Sequence, residues 1–178
     1  MEILLFLFII ITFVVIWIIK TQNSLVVLDE QCKNALSQIG VQQESRWDVL
    51  TNIISLIDKY SKHESETLKE IISLRSKGDT VSDINNIENE INKAIKVLDV
   101  VVEAYPDLKA EKIYQESISS MNQYEKDVKY SRMIYNDSIT KLNRKVRQIP
   151  TSLIAGLLGF TQKEYLETNE DKSDMPKI

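Results

Sequence analysis

Cysteine occurs once in this chain, histidine once, proline three times and glycine four times. A single cysteine, Cys32, excludes an internal disulfide and any zinc cluster built on several thiolates. A single histidine, His63, excludes the H-E-x-x-H motif and the paired E-x-x-H motifs of di-iron bundles. Scarce glycine and proline leave few places where a helix must stop, so long helices are expected. Excess charge of either sign is also missing. The formal charge is only −4, with mixed signs throughout, whereas a nucleic-acid binder carries a basic stripe. No G-x-S-x-G, S-x-x-K, phosphate-binding loop or dinucleotide fingerprint is present.

What the chain has in abundance is apolar sequence at its beginning. "MEILLFLFIIITFVVIWII", residues 1–19, carries one charge, Glu2. As a helix it would extend about 28 Å, close to the hydrocarbon thickness of a bilayer. A secretory signal would have a basic start, a shorter apolar core and a small-x-small cleavage site. Here no Lys or Arg precedes the run, and "TQNSLVV" after Lys20 offers no such site. The run therefore reads as an uncleaved anchor. Lys20 and Lys33 follow it, so the positive-inside rule places the amino terminus outside and the remainder in the cytoplasm.

Beyond the anchor, apolar residues recur at helical spacing in four segments. The first carries Leu25, Leu28, Cys32, Ala35 and Ile39; the second carries Leu50, Ile53, Ile57 and Tyr60, then Leu68, Ile71 and Leu74. Between them the seam becomes polar at Gln42, Gln43 and Arg46, Gly40 weakens the helix, and "SRWD" (45–48) has the form of a capping box. Both a break near 40–46 and an unbroken helix fit these residues. An unbroken helix over 21–76 would reach about 84 Å against about 38 Å for the third segment, so pairing all the stripes favours a turn near residue 45. Lys77 and Gly78 read as the end of the second segment.

The third segment has Ile84, Ile87, Ile91, Ala94, Leu98, Val101 and Tyr105 on one face. The fourth is expected from Asp107 to about Gln148, with Ile118, Met121, Tyr124, Val128, Tyr135, Ile139, Leu142, Val146 and Ile149 facing inward and Pro150 closing it. The expected fold class is all-α: an N-terminal transmembrane helix followed by an antiparallel four-helix bundle. The domain reading is an anchor at 1–19, a bundle at 20–149, a short apolar segment at 150–166 and a polar tail at 167–178 expected to be disordered.

Two clusters bear on function. His63 with Glu66 and Glu70 shares a helix face, which makes a solvated charge cluster rather than a metal site. Cys32 lies on an apolar stripe and reads as a core residue. No catalytic, cofactor-binding, metal-binding or small-molecule site is assigned, and the chain reads as no enzyme. Near the end, Lys141, Arg144, Lys145 and Arg147 precede an apolar run with Leu153, Ile154, Leu157, Leu158 and Phe160. Cations there suit a helix C-terminus. They also suit anionic head groups, with the apolar run in the membrane interface.

Several motifs in order resemble the LemA family of bacterial membrane proteins: "LSQIGVQQESRWDVL" (36–50), "KYSKHESETL" (59–68), "EAYPDLKA" (103–110), "YND" (135–137) and "IPTSLIAGLLGF" from Ile149, continuing through Tyr165. Gly40, Ser45 and Thr51 depart from the family pattern, which has Asp, Arg and Pro there. The resemblance implies one amino-terminal membrane helix and a four-helix bundle. It implies no activity and supplies no catalytic residues. The functional expectation is a membrane-anchored interaction or scaffold module, with protein partners or a second copy of itself. The alternative is a membrane-surface or membrane-shaping protein using residues 141–160.

Overall fold

The computed structural model describes residues 1–73, 75 and 80–166, apart from the side chain of Glu64. Leu74, Lys77 and Gly78, and the tail from residue 167, lie outside the described residues. Among the described residues there are six helices and no strand: α1 (Glu2–Ile57), α2 (Lys62–Ser73), α3 (Val81–Ala104), α4 (Pro106–Ala110), α5 (Lys112–Arg147) and α6 (Ser152–Ala155). The fold is all-α. Contacts divide it into two compact units, one of Met1–Asn34 with Tyr135–Tyr165, the other of Ala35–Ile134 with Leu166.

The expected break near 40–46 is absent. α1 runs unbroken from Glu2 to Ile57, and Ser45 is no cap: its hydroxyl donates to the Val41 carbonyl one turn back, as a mid-helix serine does. The physical reason lies in the seam. Ile39, Gln43, Arg46, Leu50, Ile53 and Ile57 continue the 3–4 spacing, and every one of them is buried. Gln43 and Arg46 are inward-facing polar residues rather than a stop signal. A glycine such as Gly40 costs a helix about 1 kcal/mol. Burial of Ile39, Trp47 and Leu50 outweighs that.

The chain turns instead at residues 58–61. There Lys59 and Tyr60 donate to the carbonyls of Leu56 and Ile57, and the Asp58 carboxylate accepts from Ser65 and from Lys69, the latter at 2.6 Å. Ser61, immediately before α2, begins an S-x-x-E sequence with capping-box spacing.

Cross-helix pairs set the directions in the second unit. Arg75 reaches back to Asp48 and Glu44, and Lys69 to Asp58, so α2 runs against α1. Gln43 pairs with the Ile84 carbonyl and Arg46 with Glu88, so α3 runs with α1. Tyr60 donates to Glu111 at the head of α5, while Arg132 further along lies beside Glu88, so α5 runs against α3. This is the antiparallel four-helix arrangement, with its first turn about fifteen residues later than the lengths suggested.

α3 follows its expected stripe. Ile84, Ile87, Ile91, Ala94, Leu98 and Val101 are buried, and Thr80 with Asp83 forms a reciprocal capping box at its start. The expected fourth helix is divided in two. Tyr105 adopts φ −125° and ψ 79°, Pro106 opens the short α4 with Leu108 fully buried, and Glu111 is extended before α5 begins. Proline at a first helical position loses no hydrogen bond, which fits it to this corner. The Tyr60 and Tyr105 rings meet there, with centroids 6.3 Å apart.

Candidate functional site

Two clusters of side chains in this fold bear on function, one in each unit. In the second unit a polar layer crosses the apolar core. Gln43 is 1% exposed and Arg46 is 0% exposed, both on α1. One terminal nitrogen of Arg46 donates to both carboxylate oxygens of Glu88 on α3, each at 2.9 Å. The Gln43 amide donates to the Ile84 carbonyl at 2.9 Å and to Glu88 at 3.3 Å. From α5, the Arg132 guanidinium stands 3.9 Å from the same carboxylate. Burial pushes Arg132 below the usual guanidinium range, with Arg46 adding repulsion and Glu88 opposing both. One carboxylate thus serves two guanidiniums from two helices. Each buried ion costs several kcal/mol to desolvate, so such a layer fixes which helices meet and in what register more than it adds stability.

Glu125, on the α5 side, sits near this layer. A hydrogen bond from Lys129 and the charge of Arg46 hold its carboxyl below the ordinary range, against a desolvation that acts the other way. None of these groups has the nucleophile–base pairing that chemistry on a substrate needs. The sequence contained one signal for this layer. Gln43 and Arg46 stand on the same heptad positions as Ile39 and Leu50, which marks them as inward-facing.

The first unit holds the other cluster. Along α1, residues 1–16 are exposed on every side; cover begins with the half-exposed Trp17 and Ile18, and Thr21, Leu25 and Cys32 are buried. Burial pushes the Cys32 thiol up, so it stays protonated, as expected of a core residue. The other wall is the end of α5 and the segment after it. Asn143 pairs twice with the Lys163 backbone: its amide donates to the Lys163 carbonyl at 2.9 Å, and its carbonyl accepts from the Lys163 N–H at 2.8 Å. The Lys163 ammonium reaches the Asp29 carboxylate on α1, which Lys33 also meets at 2.9 Å. Desolvation works to raise the Asp29 carboxyl, but the hydrogen bonds from Lys163 and Lys33 win and hold it below its ordinary value. Tyr135 donates to the Glu164 carbonyl at 3.1 Å, and its phenol is pushed up by burial.

Between these clamps, residues 148–160 form a compact turn. α6 continues through the Leu158 N–H bonded to the Ile154 carbonyl. It closes with Phe160 N–H to Ala155 O and Gly159 N–H to Gly156 O, the Schellman pattern, with Gly159 at φ 80°.

The expected surface residues take different places. Leu153 and Leu157 are 71% and 87% exposed, one helical turn apart. Ile154, Leu158 and Phe160 are half-buried, with Thr151 and Ala155 buried beneath. Ile149, expected to face the core, is 83% exposed because α5 ends at Arg147 and the stripe no longer has a helix to ride on. Arg144 and Arg147 are exposed and Lys145 is half-buried, whereas Lys141 is held by Asp137 at 2.7 Å. His63, Glu66 and Glu70 are exposed on α2.

An all-α architecture with one long apolar N-terminal helix and antiparallel helices beyond it defines a helical-bundle protein carrying a candidate transmembrane helix. The family profile described as "LemA family" matches residues 35–178. A relative named Protein LemA, from Metamycoplasma hominis, is 26% identical over 154 residues, covering 84% of this chain and 70% of that protein. The chain belongs to the LemA family.

Proposed function

We propose that this chain is a non-enzymatic, single-pass protein of the bacterial plasma membrane whose helical bundle acts as a protein–protein interaction or scaffold module. The observation that carries the reading is the division of labour along α1. Its first part is apolar and exposed all round, long enough to cross a bilayer, and the same helix then supplies a wall of the bundle core. The buried charges of the second unit are engaged with one another, which supports an architectural role for them. The outward faces of α2, α3 and α5 carry the mixed charge that a partner would read. Lys20 and Lys33 after the apolar run, with no lysine or arginine before it, favour a cytoplasmic bundle and an outside amino terminus. The module needs no cofactor or small-molecule substrate in this reading.

Photo-activatable residues placed one at a time along the exposed faces of α3 and α5, in full-length protein in intact cells, test this. Discrete adducts confined to one contiguous face are expected. Recovery of unassembled monomer alone from every position overturns it. Adducts of the chain with itself assign the scaffold role to a homo-oligomer.

A further inference from the structure

The turn at residues 148–158 turns three of its large apolar side chains away from the protein. Beneath it, Thr151 and Ala155 are buried, so the segment is seated. Outward from it, Ile149, Leu153 and Leu157 present three large aliphatic side chains to the surroundings. In a short segment closed by a defined glycine turn, such a cluster calls for an occupant.

The level of this segment along α1 identifies the occupant. Within the first unit, Lys163 joins Asn143 of α5 to Asp29 of α1, so α5 at residue 143 stands near the Asp29 level. From there α5, which runs against α1, advances about 6 Å toward Lys20 before it ends at Arg147. Lys20 is about 13 Å from Asp29 along α1. Cover on α1 starts at Trp17 and Ile18, the last turn of the apolar stretch, and is complete by Thr21. The seated turn therefore lies beside the point where the apolar stretch ends and the polar chain begins. Tryptophan is itself a residue of that boundary. Arg144 and Arg147 are exposed in the turn of α5 leading into the segment, where anionic head groups would meet them.

We propose that residues 148–158 form an interfacial foot: Ile149, Leu153 and Leu157 insert into the leaflet from which α1 emerges, and Arg144 and Arg147 contact its anionic lipid. The anchor makes this contact intramolecular in effect, since the apolar stretch already holds the segment at the bilayer surface. The foot goes beyond the interaction-module reading, and neither requires the other.

Full-length protein reconstituted into phosphatidylcholine vesicles, with or without phosphatidylglycerol, tests the foot. In a Cys32→Ala background, Leu157→Cys carries an environment-sensitive fluorophore, and Ser120→Cys on an exposed face of α5 serves as the reference. Blue-shifted emission at 157 is expected, with quenching by head-group nitroxide lipids several-fold above that at 120. Phosphatidylglycerol should deepen the quenching, and Arg144→Gln with Arg147→Gln should abolish that increment. Should the Leu157→Cys protein fold poorly, Leu153→Cys gives the same reading from the next turn. Emission and quenching at 157 equal to those at 120 overturn the proposal. A blue shift that lipid nitroxides fail to quench, and that survives in detergent, assigns the face to a second copy and also overturns it.

Discussion

The two compact units are held together by different means. In the second, Trp47, Leu50, Ile53, Ile57, Leu68, Ile91, Leu98 and Leu108 belong to one apolar core, with the Arg46–Glu88 ionic layer beside it. In the first, the buried apolar residues are fewer, and the C-terminal segment is pinned by a side-chain amide on a backbone, a phenol on a carbonyl and one ammonium–carboxylate pair. Burial is non-directional and forgiving of small shifts. Hydrogen-bond clamps are directional and are lost in single steps. The contrast teaches that one chain can fix helix register by a buried charge layer and the seat of a turn by a few polar pins. Each means should fail in its own way.

The largest expected effect comes from breaking the ionic layer. Glu88→Gln takes from the fully buried Arg46 the carboxylate charge to which it donates. Removing one partner of a buried ion group typically costs about 3–5 kcal/mol. Denaturant unfolding in detergent micelles should show that loss, with hydrogen exchange accelerated along residues 84–98. Arg46→Met with Glu88→Leu removes both charges of the pair at once, yet Arg132 loses its ion pair with Glu88, so it should recover only part of the loss. A Glu88→Gln protein as stable as the parent would remove the layer from its structural role.

Next comes the apolar core itself. Leu98→Ala deletes a side chain that is 2% exposed at the centre of the second unit, for an expected cost of about 2–5 kcal/mol. Its signature differs from that of Glu88→Gln: the loss should be insensitive to salt, because no charge is touched. A matched substitution in the first unit, Asn143→Ala, removes both pins on the Lys163 backbone for about 1–3 kcal/mol. Faster exchange should then be confined to amides around residues 160–165. Exchange that accelerates along α3 as well would erase the distinction between the two kinds of fastening.

These residues also show where sequence reading reaches and where it stops. The α3 stripe and the Tyr105-Pro106 corner were legible because their signals are local: uniform 3–4 spacing, and a proline whose ring dictates its own backbone. The course of α1 was not. Polarity at Gln43 and Arg46 resembles the end of a helix until their partners are known, and those partners, Ile84 and Glu88, are distant in sequence. The turn at 58–61 carries a local signal in Ser61-x-x-Glu64, but "SRWD" offers a similar one that the fold does not use. In residues 149–160, composition marks an apolar run but does not say which of its members face outward. Ile149 continues the α5 stripe on paper, but the helix has ended by then, whereas Ile154 and Phe160 are half-buried by the closed turn.

A smaller effect isolates the closure of that turn. Gly159 has φ 80°, a left-handed conformation that a side chain disfavours, although open space surrounds the position of an added Cβ. Gly159→Ala should therefore cost about 1 kcal/mol through the backbone alone. The loss should appear as weakened protection of the Phe160 amide, with the second unit unaffected. An unchanged exchange rate there would mean that the Schellman closure contributes nothing to seating residues 148–158.

The smallest effect concerns pH, and it tests whether the ammonium–carboxylate pin contributes beyond the amide clamp beside it. Asp29 is held below its ordinary value by Lys163 and Lys33, against a desolvation that acts in the opposite direction. A depressed carboxyl stabilises the folded state fully above its unfolded pKa, about 4. That contribution is lost as pH falls through the lower folded value, because the folded form must then take up a proton it resists. The first unit should therefore loosen under acid while conditions around neutral pH leave it unchanged. Exchange at residues 160–165, followed from neutral pH down to about 3, reads this directly once the intrinsic pH dependence is subtracted. Asp29→Asn should flatten the acid limb and cost at most about 1 kcal/mol at neutral pH, since Lys163 and Lys33 are both partly solvated. An acid limb that persists unchanged in Asp29→Asn would assign the sensitivity to another carboxylate and leave Asn143 and Tyr135 as the pins that hold this segment.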